Sequence, residues 1–182
     1  MKVLFLDHDG VICLYNDWGK RIESSSDPNA YFDRFDPKAV KMLNQIIEKT
    51  DCEIVVSSDW RFNCSLESMG ELYSVRGIIK KPIGYTSLEG FDAPKDFKWE
   101  KSFEIPQTRS LEIIQYLNEN KDIESWVAVD DLDMRKHIVT KSRSGTDIET
   151  RHWGLENFVW TKRPNEGLKQ VGVKEKILQH LR

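Results

Sequence analysis

The chain has little of several things, and each shortage excludes a class. Its 182 residues hold three cysteines, an odd number without metal-ligand spacing. Cys13, Cys52 and Cys64 therefore build neither a disulfide framework nor a zinc site, and they fit a reducing, cytoplasmic compartment. No apolar run is long enough to span a bilayer, and no signal-peptide pattern stands at the start. Internal repeats, low-complexity tracts and coiled-coil heptads are absent. An excess of basic charge is missing too: the formal net charge is −3. Nothing global then draws the chain to nucleic acid or an anionic membrane, although local basic patches remain open. The length suits one domain, residues 1–182, burying roughly 70% of its unfolded surface.

What is present begins at the first residues. Val3-Leu4-Phe5-Leu6 is a continuous apolar run, the pattern of a strand buried on both faces in a parallel sheet. It runs into Asp7-His8-Asp9-Gly10. In extended chain Asp7 and Asp9 point the same way, so two carboxylates converge, and hard oxygen ligands suit Mg²⁺. Gly10 allows a sharp turn where a side chain would clash. His8 alternates away from the pair and reads as packing, and Cys13 reads as a small buried thiol.

Further along, residues 13–36 form a polar, punctuated connection that reads as a flap insertion. Asp36-Pro37 opens a helix with an apolar face of Val40, Leu43 and Ile47. Glu53-Ile54-Val55-Val56 reads as a second strand, ending in Ser57-Ser58-Asp59-Trp60-Arg61. Leu66, Met69, Leu72 and Tyr73 mark a helix stopped at Gly77. Ile83 to Thr86 reads as a strand, followed by a loop carrying Lys95, Lys98 and Lys101. Leu111, Ile113, Ile114 and Leu117 define a helix, then Trp126 to Val129 a strand ending in Asp130-Asp131. Residues 140–157 read as polar loop, 158–161 as a last strand, and Val173 to Leu181 as a terminal helix. Strands alternating with helices give an α/β fold with a doubly wound, mostly parallel sheet.

Three of those strands end in chemistry-bearing groups: Asp7/Asp9, Ser57/Ser58 and Asp130/Asp131. Asp and Ser also favour turns, and one such pair alone would be turn chemistry. Three at one edge of one sheet make an active site the better account.

On these residues the chain resembles the haloacid-dehalogenase-like (HAD) superfamily. Leu6-Asp7-His8-Asp9-Gly10-Val11 is similar to its first motif, Ser57 to its second, and Asp130-Asp131 to its fourth. Val56-Ser57-Ser58-Asp59-Trp60-Arg61, with Thr161 and Gly167-Leu168, resembles the small HAD domains associated with RNA-repair proteins.

The resemblance implies a Rossmann-like core with a small or absent cap and a Mg²⁺-dependent phosphatase working through an aspartyl-phosphate. Asp7 would be the nucleophile and Asp9 the general acid and base. Mg²⁺ would be held by Asp7, the Asp9 carbonyl and Asp131, with Asp130 as Asp131's neighbour one layer out. Ser57, or else Ser58, would bind a phosphoryl oxygen. Arg109 is the preferred cation for the transferring phosphate, with Lys95, Lys98 and Lys101 competing. Arg61 is a further substrate contact, set against pairing with a carboxylate, and Trp60 reads as cover for the core edge. Arg143, Arg151 and His152 read either as anion contacts or as a solvated loop.

With a formal net charge of −3, the expected substrate is a small phosphate ester or nucleotide, ahead of a polynucleotide end. From another class, a non-catalytic binding module with this fold stands as the alternative. Oligomeric state and partner proteins leave no trace in the sequence.

Overall fold

The computed structural model describes residues 1–15, 34–93, 95, 97–101 and 104–182. Its centre is the apolar run at the start of the chain. Strand β1 (Lys2–Leu6) lies in the middle of a five-stranded sheet of order β3-β2-β1-β4-β7. Its neighbours are β2 (Glu53–Val56), β3 (Pro82–Tyr85), β4 (Ser125–Asp130) and β7 (Phe158–Trp160), and every pairing is parallel. Because side chains alternate across a strand, β1 feeds two cores. Leu4 and Leu6 pack into one with Ile54, Val56, Val127 and Val129, while Val3 and Phe5 pack into the other with Val55 and Ala128.

Helices cover both faces. Helix α1 (Pro37–Thr50) starts at Asp36, whose carboxylate accepts from the Lys38 and Ala39 N–H groups at 2.9 and 2.8 Å. Pro37 sits at the first position, where a missing N–H does no harm. Ala39, Val40, Leu43, Ile46 and Ile47 face the first core. Helix α2 (Leu66–Val75) adds Met69 and Tyr73 and ends before Gly77, which turns the chain at φ 78°. Helix α4 (Val173–His180) completes that layer with Val173 and Ile177. Helix α3 (Glu104–Glu119) covers the opposite face through Ile113.

The loop expected over 140–157 is not one. Strands β5 (His137–Ser142) and β6 (Gly145–Thr150) pair antiparallel as a hairpin. Its residues are almost all exposed on both faces, so no alternation of apolar and polar residues announces it. The surviving clue is the β-branched content on either side of Gly145, with Val139 directly opposite Ile148. Arg151 also departs from the solvated-loop reading. It is buried below the hairpin and donates to the Asp133 carbonyl at 2.7 Å. His152 stays half exposed, 3.4 Å from Glu100, and Arg143 lies exposed in the hairpin turn.

The expected flap falls mostly outside the described residues. Its two stems are described and stand side by side: Cys13 bridges Phe35, and the Asp36 N–H donates to the Ile12 carbonyl at 2.8 Å. Among the described residues, no helix is long and apolar enough to cross a membrane.

Candidate active site

The parallel order places the carboxyl ends of β1, β2 and β4 next to one another, and each delivers its polar residues there. The ladder continues one step beyond β1 on both sides: the Asp7 N–H donates to the Val129 carbonyl, and the Ser57 N–H to the Leu6 carbonyl. Asp7, Ser57 and Asp130 are thereby fixed by main chain at one edge.

The turn after Asp7 is tight. The His8 carbonyl accepts from the N–H groups of Val11, Ile12 and Cys13. Gly10 takes a φ of 69°, and a Cβ there would lie 2.4 Å from an Asp131 carboxylate oxygen. Only glycine lets the Asp131 side chain lie against this turn. A second glycine holds the turn from outside. Gly167, at φ 52°, approaches the Val11 carbonyl so closely that a Cβ would stand 2.2 Å from it. The next N–H, that of Leu168, donates to the same carbonyl at 3.0 Å.

Into this frame Asp7, Asp130 and Asp131 bring carboxylate oxygens that all lie within 4.8 Å of one another. Arg109, from α3, answers them. Its Nη1 is 2.9 Å from Asp7 Oδ1 and 3.0 Å from Asp130 Oδ2, and its Nη2 is 2.8 Å from Asp59 Oδ1. The carboxylates of this cluster outnumber the one guanidinium and leave an excess of negative charge. Burial, then the neighbouring Asp130, pushes the Asp7 carboxyl up to about 8 despite Arg109 and a hydrogen bond from Ser58. Burial, then Asp7, raises Asp131 to about 7, and burial raises Asp130 to about 6. Burial works against the charge of Arg109, but Asp7, Asp130 and Asp59 outweigh it and hold the guanidinium firmly protonated. Such a cluster suits a divalent cation with hard oxygen ligands.

The remaining expected residues divide between this cluster and its surroundings. Asp130 has both oxygens engaged, one by Arg109 and one by the Leu132 N–H at 2.8 Å. Asp9 accepts from the Trp60 indole N–H at 3.1 Å, and Trp60 itself is buried. The Ser57 hydroxyl is buried and has no hydrogen-bond partner among the described residues. Arg61 is paired with Glu112 at 2.6 Å. Lys95 and Lys101 are exposed and Lys98 is largely so, and the cation that meets the aspartates is Arg109. His8 points away from the carboxylates, into the first core. It is fully buried, its Nε2 lies 2.7 Å from the Tyr73 hydroxyl, and its ring packs against Phe35 and Trp60.

Sequence reasoning missed Asp59, Glu112 and Thr86. Asp59 anchors Arg109, and Glu112 accepts from both Arg61 and the Thr86 hydroxyl. The one local hint is the i,i+3 spacing of Arg109 and Glu112, which puts both on one side of a helix. Nothing in one dimension joins that helix to residues 59–61.

The parallel sheet, the helices on both faces and the acidic cluster at the strand ends together define a HAD-like domain. Residues 3–169 match the family described as the HAD domain in Swiss Army Knife RNA repair proteins, and the chain belongs to that family. Membership supports a phosphohydrolase of HAD type. No curated protein and no solved structure matches the chain.

Proposed function

We propose that the chain is a Mg²⁺-dependent phosphatase that removes a phosphate monoester from a nucleotide or a nucleic-acid end, with Asp7 as nucleophile. The observation that carries this reading is the position of Asp7. Its carboxylate sits at the end of the central strand, 2.9 Å from Arg109 and within 4.8 Å of oxygens from Asp130 and Asp131. The family's association with RNA repair favours a phosphorylated nucleotide or nucleic acid over an unrelated ester.

In this mechanism an Asp7 oxygen attacks phosphorus, and the ester P–O bond breaks with its electron pair leaving on the alcohol oxygen. Asp9 gives that oxygen a proton. Asp9 then takes a proton from water as the water oxygen attacks phosphorus, and the bond to Asp7 breaks to release phosphate. The Trp60 N–H holds the Asp9 carboxyl in place for both transfers. The Ser57 hydroxyl, buried and without a partner among the described residues, would take a phosphoryl oxygen as its partner. Arg109 supplies positive charge beside the attacking carboxylate.

The donor set fits Mg²⁺: hard oxygen ligands only, with Gly10 clearing space for the Asp131 carboxylate. Asp7, Asp131 and the Asp9 carbonyl would hold the ion, while Asp130, its oxygens already engaged, orients Arg109 and the loop beyond it. When bound, Mg²⁺ offsets the repulsion between the carboxylates and an incoming phosphate. The proposed organisation is one domain over 1–182 with residues 13–36 as a flap and no full cap. The cysteines, none of them in a disulfide, suit a reducing cytoplasmic setting.

A panel of phosphate esters, nucleotides and end-phosphorylated oligonucleotides, with and without Mg²⁺, tests the reading. Phosphate release should need Mg²⁺ and should vanish in Asp7→Asn, which keeps shape and loses the nucleophile. Wild-type turnover by Asp7→Asn on a verified substrate would refute the covalent route.

A further inference from the structure

Beside the aspartate cluster, on the far side of Arg109, a cleft of about 250 Å³ opens between the 3-10 turn Asp59–Asn63 and the first half of α3. That is below the roughly 300–1,000 Å³ of a drug-sized pocket and suits one ring system. Two of its lining residues are large apolar side chains left in water: Phe62, 73% exposed, and Ile105, 62% exposed, one from each wall. The Arg61 guanidinium lies 4.4 Å from the Phe62 ring centroid and also lines the cleft.

The charges say what kind of group the cleft accepts. Asp59, Glu104 and Glu112 contribute three carboxylates against Arg61 and Arg109. Both cations are already engaged, Arg61 by Glu112 and Arg109 by Asp7, Asp130 and Asp59. A second phosphate would meet net negative charge there, so the cleft does not track a phosphate backbone. A neutral planar ring meets none of that penalty. The carboxylates of Asp59 and Glu104, exposed and lining the cleft, are acceptors for an exocyclic amine on such a ring.

We propose that this cleft is the nucleobase subsite of the substrate. The base of the nucleoside that carries the phosphate stacks on Phe62 against Ile105 while the phosphate reaches Asp7 past Arg109. The inference rests on the phosphatase reading above and adds to it the group recognised beyond the phosphate. Stacking on an aromatic side chain is tolerant of base identity, so Phe62 sets a preference for a base over none.

The test compares adenosine monophosphate, as its 3′ and 5′ isomers, with ring-free glycerol phosphate. Wild-type protein should favour the better adenosine isomer in kcat/KM. In Phe62→Ala that preference ratio should fall about tenfold, mainly through KM, and Phe62→Trp should restore it. Phe62 is exposed, so neither variant is expected to disturb folding. Equal kcat/KM for the two esters in the wild type, or an unchanged ratio in Phe62→Ala, would overturn the subsite. Calorimetric titration of Asp7→Asn protein with the same ligands separates the two readings. Base-dependent binding that is lost with Phe62, without turnover in the wild type, refutes the phosphatase and keeps the subsite. Turnover without base-dependent binding does the reverse.

Discussion

At the scale of single residues, Arg109 carries the largest electrostatic burden. It is the cation common to Asp7, Asp130 and Asp59, and it is buried with the first two. Removing one member of a buried ionic set leaves charges without compensation, a loss of about 3–5 kcal/mol. Arg109→Ala should therefore lower stability in urea unfolding by that order. The loss should be larger at pH 8 than at pH 5, because at low pH Asp7 and Asp130 take up protons and no longer need the guanidinium. An unchanged midpoint at pH 8 would show that the carboxyls are already neutral there. His8 adds a pH dependence of the same direction. Burial, reinforced by Arg109, holds its ring pKa down to about 3, so folding keeps it neutral. The unfolded chain binds that proton below about 6.5, so the stability tied to His8 is present above that value and drains away toward pH 3. Imidazole nitrogen NMR should show His8 still neutral at pH 5.

At the scale of elements, the turn that follows Asp7 is secured by a segment far along the chain. The 3-10 turn Gly167–Lys169 clamps Val11 through the Gly167 approach and the Leu168 hydrogen bond, and Lys169 pairs with Asp36 at 3.1 Å. Asp36 in turn caps α1 and bonds back to Ile12. Gly167→Ala meets both a positive φ and a backbone oxygen, so the clamp must open. Thermal denaturation should fall by an amount equivalent to about 1–3 kcal/mol, and phosphate release should drop with it as the Asp7–Asp9 turn loosens. Gly172→Ala, also at positive φ but with open space around it, serves as the control for backbone strain alone.

At the scale of the whole molecule, the excess negative charge at the sheet edge opposes folding until a cation shares it. Mg²⁺ should raise the thermal midpoint, since a ligand that prefers the native state stabilises it. The ion must displace protons from carboxyls raised to about 7 and 8, so the shift should be greater at pH 8 than at pH 6. Asp131→Ala should erase the shift. Mg²⁺ affinity in calorimetry that is unaltered by Asp131→Ala would remove Asp131 from the ligand set.

The amino-acid sequence alone determined the parallel α/β order and the three polar strand ends. Continuous apolar runs such as Val3 to Leu6 must be buried on both faces, and parallel strands bring the residues just beyond them to one edge. It also determined that His8 belongs to the core, because alternation along a strand needs no knowledge of the rest of the chain. Only the tertiary structure decided that Arg109 reaches the aspartates while Lys95, Lys98 and Lys101 do not. Each of the four is a cation in a polar stretch of sequence, and the choice among them depends on where α3 packs against the sheet. The pairing of Asp59 with Arg109 and of Arg61 with Glu112, across some fifty residues, was equally unreadable. So was the hairpin after Asp131, whose strands bury neither face and so leave no periodic imprint. The cleft at Phe62 exists only because a turn after β2 and the start of α3 stand apart at that point. Periodicity records which side of an element is buried, and it carries no record of which distant element lies against it.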